Sequence, residues 1–169
     1  MISFRPLTAA DLPLLHEWLG RPHVSAWWGD APSLAEVEAD YAPFLAADSK
    51  TLGFIALLDE RPLGFIQSYV VAGWGDGWWE DETDPGARGI DQFLAHSEDL
   101  GRGLGTQLVR TFVDHLFEDE AVTVVQTDPS PDNERAIRCY ERAGFVRMRE
   151  MTTPDGPCIF MQRRRSAPA

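Results

Sequence analysis

Two stretches of this 169-residue chain carry the residue types from which chemistry could be built. In WGDGWWEDETDPGARGIDQFL, residues 74–94, the adjacent Trp78 and Trp79 sit among Asp76, Glu80, Asp81, Glu82, Asp84 and Asp91, with Arg88 the only positive charge. Burying so many unpaired carboxylates is costly, and a solvated loop has no use for paired indoles, so the combination predicts a pocket for a cation. In FLAHSEDLGRGLGTQLVRTF, residues 93–112, Gly101, Gly103 and Gly105 fall where a strand ends and an amphipathic helix begins. Such a turn presents backbone N–H groups at the positive end of a helix and lets the chain approach an anion without a Cβ in the way. That suits a pyrophosphate, although a plain capping loop has the same spacing. No Lys-Ser/Thr follows the last glycine, so the pattern is not a Walker loop, and its late place in the chain argues against a dinucleotide fingerprint.

The elements that must position these residues follow from periodicity. Ile2–Pro6 reads as a first strand, and Thr8 caps a helix over AADLPLLHEWL with Leu12, Leu15, Trp18 and Leu19 on one face. Ser33 caps a second helix over LAEVEADYAPFLA. The apolar run Thr51–Leu58, the DERP turn and LGFIQSYVV form a hairpin, and the break DPGAR precedes a strand GIDQFLAH. Leu104, Leu108, Phe112 and Leu116 recur every four residues with Val109 on the flank, which predicts the helix after the glycines. VTVVQTD is a buried-type strand, Asp132-Asn133 opens the helix ERAIRCYERAG, and FVRMREMTTPDGPCIFMQR closes the chain as a hairpin about PDG. The expected organisation is one domain over residues 1–163 with a frayed tail over 164–169, of mixed α and β class.

Composition bounds the function. The apolar share is 44%, no apolar run approaches the roughly 18 residues of a membrane span, and the opening MISFRPLTAADL has no export signal, so a cytoplasmic protein is expected. Cys139 and Cys158 then read as reduced core thiols, and the scattered His16, His23, His96 and His115 give no zinc spacing, so no metal is expected. A net charge of −12 argues against nucleic acid and anionic membranes and favours cationic ligands.

With the downstream VTVVQTD and NERAIRCYERAGF, the glycine turn resembles the acetyl-CoA site of the GNAT superfamily of N-acetyltransferases. Gly103 and Gly105 match the superfamily's spacing, while Leu100 stands where it carries Gln or Arg; this removes one side chain and spares the backbone donors. Within that superfamily GDGWWEDETDPGARGIDQFL, QTDPSPDNERAIRCYERAGF and TTPDGP are similar, in order, to the aminoglycoside 6′-N-acetyltransferases, bacterial antibiotic-resistance enzymes. The resemblance implies the GNAT fold, with a mixed, mostly antiparallel sheet flanked by helices and a splayed strand pair at the acetyl-CoA site. It also implies acetyl-CoA as cosubstrate; with Cys139 facing away from the cofactor, direct transfer in a ternary complex is expected, by a monomer or weak homodimer.

An aminoglycoside is a polycation with flat sugar faces, which WGDGWWEDE answers with carboxylates and indoles. Asp76, Asp128 and Asp155 match family positions that contact amino groups, and Trp28 and Tyr41 match its aromatic floor. If residues 78–79 are extended, the two indoles point to opposite faces, and the family match selects Trp79 for the pocket while Trp78 is equally a packing residue. Only a neutral amine attacks a thioester, so a base is required, and Asp91 matches the family residue in that role; a pure ammonium anchor is the alternative. Tyr140, two helical turns beyond Asn133, matches the family's general acid for the departing thiolate. The resemblance assigns acetyl-CoA to backbone groups of Phe93 and Leu94, to Gly101, Arg102, Gly103, Leu104, Gly105 and Thr106, and to Asn133 near the thiol. Gln67 and Ser68 are expected at the acceptor cleft or as ordinary strand packing. Two other readings compete: an acyltransferase acting on a siderophore hydroxamate precursor or a polyamine, and a non-catalytic binder of cationic ligands.

Overall fold

The chain begins with strand β1 (Ile2–Pro6), and Thr8 leads into a 3-10 turn over Ala9–Asp11 before helix α1 (Leu12–Leu19). The expected single helix is thus divided, because Pro13 lacks an N–H and fits only the first turn of an α-helix. Helix α2 (Pro22–Trp28) was not anticipated from the apolar pattern, although Pro22 at its start and Gly29 just past its end are the expected punctuation. Ser33 caps α3 (Leu34–Tyr41) as expected: its hydroxyl accepts from the Glu36 N–H at 3.2 Å, and Glu36 returns the bond to the Ser33 N–H at 2.7 Å. Pro43 ends this helix earlier than predicted, and the rest of the segment is a 3-10 turn, Ala42–Leu45.

Strands β2 (Thr51–Leu58) and β3 (Arg61–Val70) form the predicted hairpin, with Asp59 and Glu60 both left-handed (φ 47° and 69°), as a two-residue primed turn needs. They are followed by β4 (Ala87–Leu94), α4 (Leu104–Leu116), β5 (Val124–Thr127), α5 (Glu134–Arg142), β6 (Val146–Thr153) and β7 (Gly156–Arg164). The computed structural model describes residues 1–167. The strands hydrogen-bond in the order β1-β2-β3-β4-β5-β7-β6; β1–β2, β5–β7 and β6–β7 are antiparallel and β4–β5 is parallel. The β4–β5 ladder spans only Ala87–Val124 to Gly89–Gln126, while β4 continues to Leu94.

Two compact units make up the chain: Met1–Ser68 with Gln92–Leu104, and Tyr69–Asp91 with Gly105 onward. In the first unit Leu12, Leu15, Trp18 and Leu19 of α1 are buried with Val24, Val37, Ile55, Phe65 and Phe93, which is the predicted α1 face. In the second, Leu108, Val109, Phe112 and Val113 form the buried stripe of α4, and Tyr69, Val71, Trp79, Ala87, Val124 and Phe160 pack as a separate cluster. The expectation of a tail frayed from residue 164 does not hold at its start. Arg164 closes β7, and Arg165 donates to the Val122 carbonyl at 3.0 Å while its guanidinium lies 5.3 Å from the Phe117 ring centre. The remainder of that tail at 168–169 lies outside the described residues. Among the described residues no helix is long and apolar enough to cross a membrane.

Candidate active site

The acidic, indole-bearing segment does not run as a strand. Gly73, Gly75, Asp76, Gly77 and Trp79 all take positive φ, and Gly75 and Trp78 form an isolated bridge, so residues 73–79 coil through a series of turns. Alternation of faces therefore does not apply to the tryptophan pair: the Trp78 and Trp79 rings lie 6.0 Å apart and both belong to the same cluster. Trp79 is buried, packed against Phe160 of β7 at 5.6 Å. Asp76 is exposed on the loop. A Cβ at Gly77 would touch Pro154 at 3.5 Å, which sets this loop beside the β6–β7 turn that carries Asp155.

Three carboxylates converge in this unit. Asp91 comes from β4, Asp128 from the residue after β5, and Asp155 from the β6–β7 turn. The Ile159 N–H donates to the Pro129 carbonyl at 2.9 Å and so fastens the segment after β5 to β7. Burial, with Asp91 and then Asp155 as neighbouring like charges, pushes the Asp128 carboxyl from its ordinary 3.8 up to about 8. Tyr69, near the end of β3, lies within the field of Asp91, Asp128 and Tyr140, and burial first, then those charges, raises its phenol well above the ordinary range. Tyr140 is buried on α5 and meets the Phe145 ring edge-on at 5.4 Å. Asp91, Asp128, Asp155, Tyr140 and Trp79 are thus brought together. The Tyr69 phenol among them passes unnoticed in the sequence, where it is one ring in an apolar strand. Trp79 also lines an open cavity of about 470 Å³, whose walls include Glu80, Asp81 and Glu82 together with Arg149, Arg164 and Phe160.

The other predicted acceptor residues lie in the first unit. Trp28 meets Phe65 at 6.1 Å and Phe93 at 5.0 Å, both edge-on, and Tyr41 meets the same Phe65 ring at 5.7 Å, so the two expected floor residues share one aromatic cluster. Ser68 is buried and Gln67 half-buried in β3. Leu94 accepts a hydrogen bond at its carbonyl from His23 Nε2 at 2.9 Å.

At the glycine turn, Gly101 and Gly103 have φ of 73° and 78°, and nothing stands within 4 Å of where a Cβ would project. The turn therefore offers open, Cβ-free backbone at the start of the 13-residue α4. Asp99 braces the turn: it is buried, bonded to Arg61 at 3.0 Å, with Arg102 at 3.5 Å. Leu104, Gly105 and Thr106 open α4, and Thr106 hydrogen-bonds the Cys139 thiol, which burial raises above its ordinary range. Asn133 caps α5, its Oδ1 accepting from the Ala136 N–H at 3.2 Å. Cys139 and Cys158 are both free thiols, and among the described residues no group of three His, Cys, Asp or Glu side chains is placed to hold a metal ion.

A parallel ladder that stops after three pairs, a Cβ-free turn leading into α4 and a titratable cluster just past the ladder's end define an acyl-CoA-dependent transferase architecture. The chain belongs to the acetyltransferase (GNAT) domain family, which it matches over residues 8–153. Among curated proteins it is 53% identical over 169 residues to aminoglycoside N(6′)-acetyltransferase type 1 of Klebsiella pneumoniae, covering 98% of this chain and 84% of that one. Among solved structures it superposes with a TM-score of 0.93 on aminoglycoside acetyltransferase AAC(6′)-Ib in complex with coenzyme A, at 54% identity over 98% of this chain and 95% of the other. The same enzyme in complex with coenzyme A and kanamycin gives a TM-score of 0.93 at 53% identity, over 98% of this chain and 95% of that one.

Proposed function

We propose that this chain transfers the acetyl group of acetyl-CoA to the 6′-amine of aminoglycoside antibiotics, and so removes one of the positive charges by which such drugs bind. The observation that carries the reading is the convergence of Asp91, Asp128 and Asp155 beside the Trp79 ring. Burial, and after it the neighbouring charges of Asp91 and Asp155, pushes the Asp128 carboxyl up to about 8, and a polyammonium ligand would offset those charges. Asp76 adds a further exposed carboxylate on the loop that carries Trp79.

The donor's diphosphate fits the Cβ-free backbone of Gly101 and Gly103 with the first turn of α4, Leu104, Gly105 and Thr106, while Arg102 adds a cation beside it. Backbone groups of Phe93 and Leu94 align the pantetheine arm, and the Asn133 amide nitrogen meets the thiol end, its oxygen being committed to the α5 cap. Acetyl-CoA brings the activated thioester to the site. Asp91 takes a proton from the bound 6′-ammonium, directly or through a water, and exposes the lone pair that attacks; the Tyr140 phenol gives its proton to the departing thiolate and regains one from the second proton that the acylated nitrogen sheds. Both substrates are held together during transfer, with no acyl group parked on Cys139, whose thiol is shifted away from ionisation.

Thiol release with kanamycin, tobramycin, lysine derivatives and spermidine tests the acceptor class. Turnover confined to the 6′-amino drugs is expected, and turnover only on lysine derivatives or spermidine would refute the reading. In Asp91→Asn, drug binding by calorimetry is expected to persist while kcat falls by roughly a hundredfold or more. Unchanged turnover would remove Asp91 as the base.

A further inference from the structure

Trp79 occupies a backbone conformation that a bulky side chain rarely adopts, with φ of 52°. Its neighbours Gly73, Gly75 and Gly77 are left-handed as well, so the loop has little intrinsic preference for its observed path. Residues in such conformations persist where surrounding contacts over-determine them. For Trp79 those contacts are the Phe160 and Trp78 rings and a hydrogen bond from its indole N–H to the phenol oxygen of Tyr69.

Tyr69 is itself wedged. Its ring packs on Trp74, the other indole of the loop, at 4.8 Å, and the hydroxyl end of the ring rests directly on the backbone of Gly89. A Cβ at residue 89 would fall 2.1 Å from Cζ and 2.4 Å from the hydroxyl oxygen, distances no side chain tolerates. Residue 89 precedes Asp91 by two positions on β4, so both project from the same face of that strand. One phenol thus connects the strand that carries the proposed base to two indoles of the acidic loop.

The geometry points to Tyr69 as a positioning residue for the acceptor wall: seated in the slot left by Gly89, its oxygen captures the Trp79 indole and fixes that ring at a set distance from Asp91. The role rests on the acceptor reading above, and it deepens that reading by naming what holds the wall. Burial keeps the phenol protonated, so its oxygen remains a neutral acceptor for the indole across the working pH range.

Two measurements test this, one of which needs no substrate. In an indole ¹⁵N–¹H spectrum the chain gives six tryptophan signals, and Trp79→Phe assigns the one in question. The Trp79 N–H is expected to exchange slowly with solvent and, in Tyr69→Phe, at least about tenfold faster, consistent with loss of one buried hydrogen bond. The Phe ring still fills the Gly89 slot, so the fold is retained. Kinetically, Tyr69→Phe is expected to raise KM for kanamycin about five- to tenfold while kcat and KM for acetyl-CoA stay within about twofold. Gly89→Ala, which keeps the phenol and fills its seat, is expected to reproduce both effects. Unchanged exchange of the Trp79 N–H in Tyr69→Phe overturns the proposal. So does faster exchange with an unaltered kanamycin KM, because the bond would then exist without positioning the wall. If the wild-type chain turns over no aminoglycoside, the acceptor reading fails and the exchange measurement alone decides the Tyr69 clamp.

Discussion

Replacing Asp128 by Asn removes the carboxyl on which burial, Asp91 and Asp155 press most heavily, and the consequence for stability can be worked out from its shift alone. At low pH the folded and unfolded chains both hold the proton and the group is neutral to folding. Between its ordinary 3.8 and the folded value of about 8, the unfolded chain has released the proton and the folded chain still binds it. Stability therefore falls as pH rises through this window, by at most about 1.4 kcal/mol per pH unit, and levels off above it. From about pH 5 to about pH 8 the ceiling is roughly 4 kcal/mol, and roughly 2 kcal/mol remains if Asp91 and Asp155 absorb half of the shared repulsion. Urea unfolding of the ligand-free wild type and Asp128→Asn across that range reads the difference directly. The variant is expected to gain on the wild type by about 2–4 kcal/mol between the two ends, while losing affinity for kanamycin. A stability difference that is flat with pH, or that shifts toward the wild type as pH rises, would refute the argument that these carboxyls form one repelling cluster.

Tyr140→Phe preserves the edge-on packing with Phe145 and deletes the hydroxyl proposed as the acid, so kcat is expected to fall about ten- to hundredfold with KM for acetyl-CoA unchanged; an undiminished kcat would assign the phenol to packing. Gly103→Ala meets no steric obstacle, yet forces a Cβ into φ of 78°, at a cost of about 1–2 kcal/mol. Relaxation of the turn away from its observed shape is expected to raise KM for acetyl-CoA several-fold and to leave KM for kanamycin unaffected. A lower melting temperature with an unaltered acetyl-CoA KM would make the turn a helix cap and nothing more.

Much of the fold is written in local pattern. The hairpin about Asp59-Glu60, the capping box of Ser33 and Glu36, the stripe of α4 and the N-cap at Asn133 each depend on residues a few positions apart, which is why periodicity and turn chemistry find them. The prolines at 13 and 43 moved two helix boundaries by rules equally local, and α2 was passed over because seven residues give too short an apolar pattern to register. The acidic stretch likewise announced a cationic ligand through composition alone.

Residue order alone supplies the inventory: glycines before a helix, carboxylates beside indoles, a tyrosine two turns along α5, and the order in which strands and helices follow. Which of these meet is set by the packing of the folded chain. Asp91, Asp128 and Asp155 are separated by dozens of residues and acquire a common electrostatic field because Asp91 and Asp128 each follow the end of the β4–β5 ladder by two residues, with the β6–β7 turn close by. Tyr69 and Gly89 become partners only across two strands, and the path of Trp79 depends on rings from β3 and β7. Short-range preferences are additive along the chain and legible there, whereas repulsion, burial and close approach are properties of neighbours in space, which chain order alone does not specify.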